Sequence, residues 1–160
     1  MAYLKLGSTK LTGAGTTVAV SDFAEKTNLM VMANLLDAGS SINPELTFNG
    51  DNSSGNYSDR RNFNFGTDGT TSTHNFIEDL WNSDPFPVYL ILYINNIADQ
   101  EKSVISTNCV QQNTAGAGTA PNIAYNFSKW ANAVDSITTI SFDSTNNFNT
   151  NSELTVFGTD

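Results

Sequence analysis

The sequence predicts an all-β fold: a single antiparallel β-sandwich domain, jelly-roll-like, spanning 1–160 and built from roughly eight to ten short strands. Three observations carry the prediction. Asn, Thr and Ser number 21, 19 and 16, together 56 of the 160 residues. Thr suits pleated strands, while Asn and Ser suit turns, where their side chains bond nearby backbone. Charged residues make up only 14% of the chain, against roughly 25% in an average soluble domain, so the Lys and Glu that build surface helices are scarce. Apolar segments alternate with period two or run for four to eight residues between polar turns, which is the strand pattern. The hydrophobic share, 39%, supports a folded core, and no linker or shift in composition divides the chain.

Taken in order, residues 3–7 and 10–13 read as a short strand and turn, and 16–20 alternate as Thr-Thr-Val-Ala-Val. The run at 28–36 is almost continuously apolar and reads as a central strand, ended by Asp37-Ala38-Gly39-Ser40. Residues 45–51 run into Asn49-Gly50, the strongest short-range turn signal in the chain. A polar loop at 51–58 leads to an alternating segment at 61–66 and a Gly/Thr loop at 67–73. One or two helical turns are expected at 75–81, closed by Pro85 and Pro87. The segment 88–94 is the clearest buried strand, and 103–110 is another, with Cys109 expected inside it as a small buried hydrophobe. A low-complexity loop at 113–121 precedes strands at 123–127, 136–142 and 153–158.

Charge narrows the partners. The formal net charge is −9 and the seven Lys and Arg are scattered, with Arg60-Arg61 the one adjacent pair. That argues against nucleic acid, which needs clustered cations to neutralise phosphates, and against anionic membranes. No run approaches the ~18 apolar residues of a membrane span, and Met1 to Lys5 lacks a signal-peptide core. The expectation is a protein made in a cytoplasm that does not cross a membrane.

Catalytic chemistry finds few residues. His74 is the single histidine and Cys109 the single cysteine, so neither an intramolecular disulfide nor a His/Cys zinc site can form. No Gly-x-Ser-x-Gly elbow accompanies His74. Adjacent Glu78 and Asp79 read as capping or solvated carboxylates rather than a glycosidase pair. The expectation is no enzyme, no catalytic residue and no cofactor. Calcium is the one metal left open by the sequence, because Asp51 to Asp59 is rich in oxygen ligands, but the loop lacks EF-hand spacing and a polar turn explains it equally well.

Among the aromatics Tyr57, Phe63, Phe65, Trp81, Phe86, Tyr125 and Trp130, most read as core, Trp130 included. Tyr57, beside Arg60 and Arg61, is the candidate for an exposed glycan or interface contact. Residues 1–15 carry Lys5 and Lys10 and no acid, which marks a candidate attachment segment with Leu4, Leu6 and Leu11 as apolar contacts. Such a segment would either add to a partner's sheet edge or form the first strand of its own sandwich.

Several elements together resemble a family of phage virion structural proteins. They are Leu29-Met30-Val31-Met32-Ala33, then Leu46-Thr47-Phe48-Asn49-Gly50-Asp51 with Tyr57-Ser58 after it, then a strand leading to Lys102. Trp130, Ile137-Thr138-Thr139-Ile140, Asn147-Phe148 and a closing Leu154-Thr155-Val156-Phe157-Gly158 complete the pattern over residues 16–158. Phe157 and Ile97 stand where that pattern usually has Tyr. The resemblance implies a β-sandwich resident on the virion and assembled in a host cytoplasm. Together with the small size, the lack of catalytic residues and the lack of a signal peptide, it leads to the expectation of a non-enzymatic capsid decoration (cement) protein whose partners are the major capsid protein or other virion proteins, and itself as a homo-oligomer, a trimer by particle symmetry. The alternative is a tail-fibre or knob module that binds a host glycan.

Overall fold

The computed structural model describes residues 2–78, 80, 87–111, 117–118 and 120–160. Eleven strands are found among them: β1 (Leu4–Lys10), β2 (Gly15–Val20), β3 (Asn28–Leu35), β4 (Glu45–Phe48), β5 (Tyr57–Phe63), β6 (Gly69–His74), β7 (Val88–Asn95), β8 (Lys102–Val110), β9 (Asn122–Trp130), β10 (Ile140–Phe148) and β11 (Glu153–Thr159). They form an eight-stranded sheet in the order β1-β11-β3-β7-β8-β9-β5-β6 and a three-stranded sheet in the order β2-β10-β4. Every pairing is antiparallel. This is the all-β sandwich the sequence predicts. Jelly-roll connectivity is a narrower statement, which an eight-and-three division of strands does not by itself make.

The core lies between the sheets. Alternation turns Leu29, Val31, Ala33 and Leu35 of β3 and Val88, Leu90, Leu92 and Ile94 of β7 inward. They meet Val18, Val20, Leu46, Phe48, Ile140 and Phe142 of the small sheet, all buried. Each fully buried side chain of this size contributes about 1.5–3 kcal/mol.

Four local expectations are corrected. The Gly/Thr segment at 67–73 is largely strand β6, because Thr is at home on a pleated edge and β5 offers it a ladder. The described part of 75–81 holds no helical turn. Ile77 instead exchanges both backbone hydrogen bonds with Leu46, at 2.9 and 3.0 Å, on the open side of β4; residues 79, 81 and 85 lie outside the described set. The strand expected at 136–142 begins only at Ile140. Asn96 Oδ1 accepts the N–H of Ile137, while Asn49 Oδ1 accepts those of Thr138 and Thr139, so these groups are taken before a ladder can use them. Cys109 is exposed: β8 turns its even-numbered residues inward, and parity along the strand overrides the preference of a thiol for burial.

The candidate attachment segment belongs to the chain's own sheet. β1 pairs with β11 from Leu4↔Gly158 to Lys10↔Glu153, with a bulge between Lys5 and Gly7. Gly7 is needed where it stands, because a Cβ there would come within 2.5 Å of Val20 Cγ1. Leu6 and Leu11 pack against the core, while Leu4 is 62% exposed. Deleting residues 1–15 therefore removes about 2 kcal/mol of apolar contact or more, besides a full edge ladder. A thermal melt followed by circular dichroism should show the truncated chain losing at least ~5 °C or failing to stay soluble. A melt equal to that of the full chain would show β1 to be an appendage.

Candidate functional site

The residues singled out in the sequence separate into an internal lock and an external face. The lock begins at the Asn49-Gly50 turn, where both residues have positive φ, 52° and 69°, and Asp51 N–H donates to Phe48 O at 2.9 Å. The turn makes no hairpin: the chain leaves the small sheet at Phe48 and enters the large one at Tyr57. Asp51 holds this crossing. Its Oδ2 accepts the Trp130 indole N–H at 2.7 Å and the Asn56 amide at 2.8 Å, and its Oδ1 accepts Ser53 N–H at 2.9 Å. Tyr57 Oη donates to the Asp51 carbonyl at 2.9 Å and accepts Phe48 N–H at 3.0 Å. Around these bonds the rings of Phe48, Tyr57 and Trp130 pack at centroid distances of 5.8–6.4 Å.

Tyr57 is therefore not a surface contact; it is 1% exposed, and burial pushes its phenol up. The oxygens of Asp51 considered for calcium accept N–H donors from within the protein. No group of three or more His, Cys, Asp or Glu that could hold a metal occurs among the described residues. Arg60 and Arg61, adjacent in sequence, point to opposite faces of β5. Arg61 turns inward, 3.5 Å from Asp59 and 3.6 Å from Glu78, and donates to Thr71 Oγ1 at 3.1 Å. Glu78 also lies 3.4 Å from His74 Nδ1. Arg60 points outward and is exposed.

The external face is the outer surface of the large sheet. Register aligns one row across seven strands: Lys5, Phe157, Met30, Tyr93, Ile105, Phe127 and Arg60. Tyr93, Ile105 and Phe127 are each at least half exposed. The next row brings Met32, Ile91, Thr107 and Tyr125 together, and Tyr89, Cys109 and Ile123 follow. Three shallow depressions mark the surface, one between Tyr89, Ile91 and Tyr125, one between Tyr3, Tyr93 and Ile105, and one between Arg60, Phe127 and Lys129.

Sequence reasoning missed this face, and β9 explains why. Its outward residues are Ile123, Tyr125, Phe127 and Lys129; its inward residues are Ala124, Asn126, Ser128 and Trp130. Apart from Trp130, the larger apolar side chains are outside and the small or polar ones inside, the reverse of a half-buried strand. Of the other aromatics, Phe65 is 76% exposed on the turn after β5, beside Tyr125 at 5.7 Å. Trp81 and Phe86 lie outside the described residues.

No protein-family model matches the chain, and no curated protein or solved structure matches it.

The lock has an acid signature. Burial pushes the Asp51 carboxyl up, but the donors from Trp130, Ser53 and Asn56 outweigh it and hold the group below the usual carboxylate range. A carboxyl depressed in the folded state stabilises the fold above its unfolded pKa of about 4 and loses that contribution as pH falls through the lower folded value. Asp51→Ala should cost about 2–3 kcal/mol at neutral pH. Asp51→Asn should cost less and flatten the acid limb of stability against pH in urea titrations. An unchanged acid limb in Asp51→Asn would remove Asp51 from this role.

Proposed function

We propose that this chain is a non-enzymatic structural protein of a virus particle, of the capsid-decoration kind. It acts by laying the outer face of its large sheet against another protein, the major capsid protein or a second virion component. The observation that carries the reading is the inverted alternation of β9, continued by Ile105 and Tyr93 on the neighbouring strands. A strand that places Ile, Tyr and Phe in water and Asn and Ser inside is ordered for a contact outside its own domain, and contiguous exposed apolar surface marks such contacts. The sequence resemblance supplies the virion setting, and the net charge of −9 keeps copies away from nucleic acid.

A second reading, a glycan-binding fibre module, draws on the same face rather than on Tyr57. Tyr89, Tyr93 and Tyr125 present amphipathic rings there among Thr and Asn, the kind of surface on which sugars stack. Glycan-array binding lost in Tyr93→Ala would favour it over decoration.

The test of decoration is mass spectrometry of purified particles from cells that carry the gene, comparing the parent with Ile105→Ser/Phe127→Ser. Exposed positions tolerate such changes within about 0.5 kcal/mol each, so the variant should melt like the parent yet be depleted from particles at least tenfold. Parent protein absent from particles, or the variant present in parental amounts, would overturn the proposal.

A further inference from the structure

The charge of the molecule is divided between its parts. The eight strands of the large sheet hold six of the seven Lys and Arg but only two of the sixteen acids, Asp59 and Glu153, a formal +4. Everything else holds one base, Lys26, and fourteen acids, a formal −13. On the outer face Lys10 stands opposite Glu153, and Lys129 pairs with Glu101 at 2.8 Å. Lys5 and Arg60, at the two ends of the apolar row, make no ion pair among the described residues.

The far side of the molecule has the opposite arrangement. On the outer face of the small sheet Glu45 and Asp143 are direct cross-strand partners, and neither has a cationic partner among the described residues. Like charges placed opposite one another destabilise a ladder. Burial, then Asp143, then Glu78 push the Glu45 carboxyl up. Asp143 is held by hydroxyls alone, Thr17 at 2.5 Å and Ser141 at 2.8 Å.

We infer that a second copy of this chain covers one end of the outer face of the large sheet, presenting the acidic outer face of its small sheet around Glu45 and Asp143. The inference rests on the reading of that face as a contact surface, but not on the virion setting. Face-to-face pairing of two large sheets would bring cation against cation; contact between unlike faces brings one end of the apolar row, Lys5 or Arg60, to the Glu45–Asp143 pair, which lacks a counter-charge. Six strand spacings separate β1 from β5, about 29 Å, and the face runs about 20 Å along the strands. The small sheet spans two strand spacings, about 10 Å, so its strands and the loops beside them cover one end of that face rather than all of its roughly 600 Å². Contact between unlike faces is heterologous, and because the two outer faces of a sandwich lie on opposite sides, copies add in an open series rather than closing as a pair.

Sedimentation velocity of the full chain at about 50 mM and about 500 mM salt tests this, since the screening length falls roughly threefold across that range. The expected result at low salt is a weight-average mass that keeps rising with concentration, with association at least tenfold weaker at high salt. Lys5→Glu/Arg60→Glu and Glu45→Lys/Asp143→Lys should each associate at least tenfold more weakly alone. Mixed together they should associate again, because the acidic large-sheet face of one meets the basic small-sheet face of the other. A chain that stays monomeric at low salt would overturn the inference. So would a closed dimer unaffected by Glu45→Lys/Asp143→Lys, or a mixture of two variants, each with a parental melt, that does not recover. A monomer found on particles would sink this inference and leave the decoration reading standing; an associating chain absent from particles would do the reverse.

Discussion

The hydrogen bond from the Trp130 indole to the Asp51 carboxylate is the constraint on which the rest of the structure depends. It joins the last residue of β9 in the large sheet to the turn that leaves the small sheet. Tyr57 closes the same junction from β5, bonding backbone on both sides of the turn. Charge-assisted bonds of this kind are roughly twice as strong as neutral ones, and three aromatic rings pack beside them. Asn49 extends the hold to the segment that leads into β10, using its Oδ1 on the N–H groups of Thr138 and Thr139 and its Nδ2 on the carbonyl of Ser136. The two sheets are thus bolted at one corner as well as pressed together by apolar area.

That corner sets the facing of β9. With Trp130 held inward by Asp51, period-two geometry sends Ser128, Asn126 and Ala124 inward and Lys129, Phe127, Tyr125 and Ile123 outward. A slip of one residue would bury the larger side chains and release the indole from its acceptor. Local hydrophobicity and the lock therefore pull β9 in opposite directions, and the lock prevails. A sequence that keeps such a conflict supports a surface used for contact, which is how the outer face is read above.

Much of the fold was legible from residues alone. The strands at 28–36, 88–94 and 153–158 are present, and each buries one face of apolar side chains, Val88, Leu90, Leu92 and Ile94 in β7. Trp130 was read as core, and it is. What could not be read was which side of a mixed strand faces in. In β8, Val104 and Ile105 are equally apolar neighbours, and the inward set includes Lys102, Ser106 and Asn108, so periodicity gives no answer. Lys102 is buried because its Nζ donates to the carbonyls of Gln100 and Asn132, a long-range arrangement with no local signal. Tyr57 was misplaced for the same reason: its ring partners lie nine and seventy-three positions away. The exposed apolar face was invisible in sequence because it is assembled by register across seven strands, and pairing order is not written locally.

In the proposed reading the outer face of the large sheet is the surface this protein uses. Cys109 lies on it, exposed and lining a depression with Tyr89, Ile91 and Tyr125, and so reports directly on its coverage. The measurement is the rate of Cys109 alkylation by a small thiol reagent in the dilute chain and in the assembled state. The account predicts fast labelling of the dilute chain and at least tenfold protection on assembly. Equal rates in both states would place the contact elsewhere and contradict it.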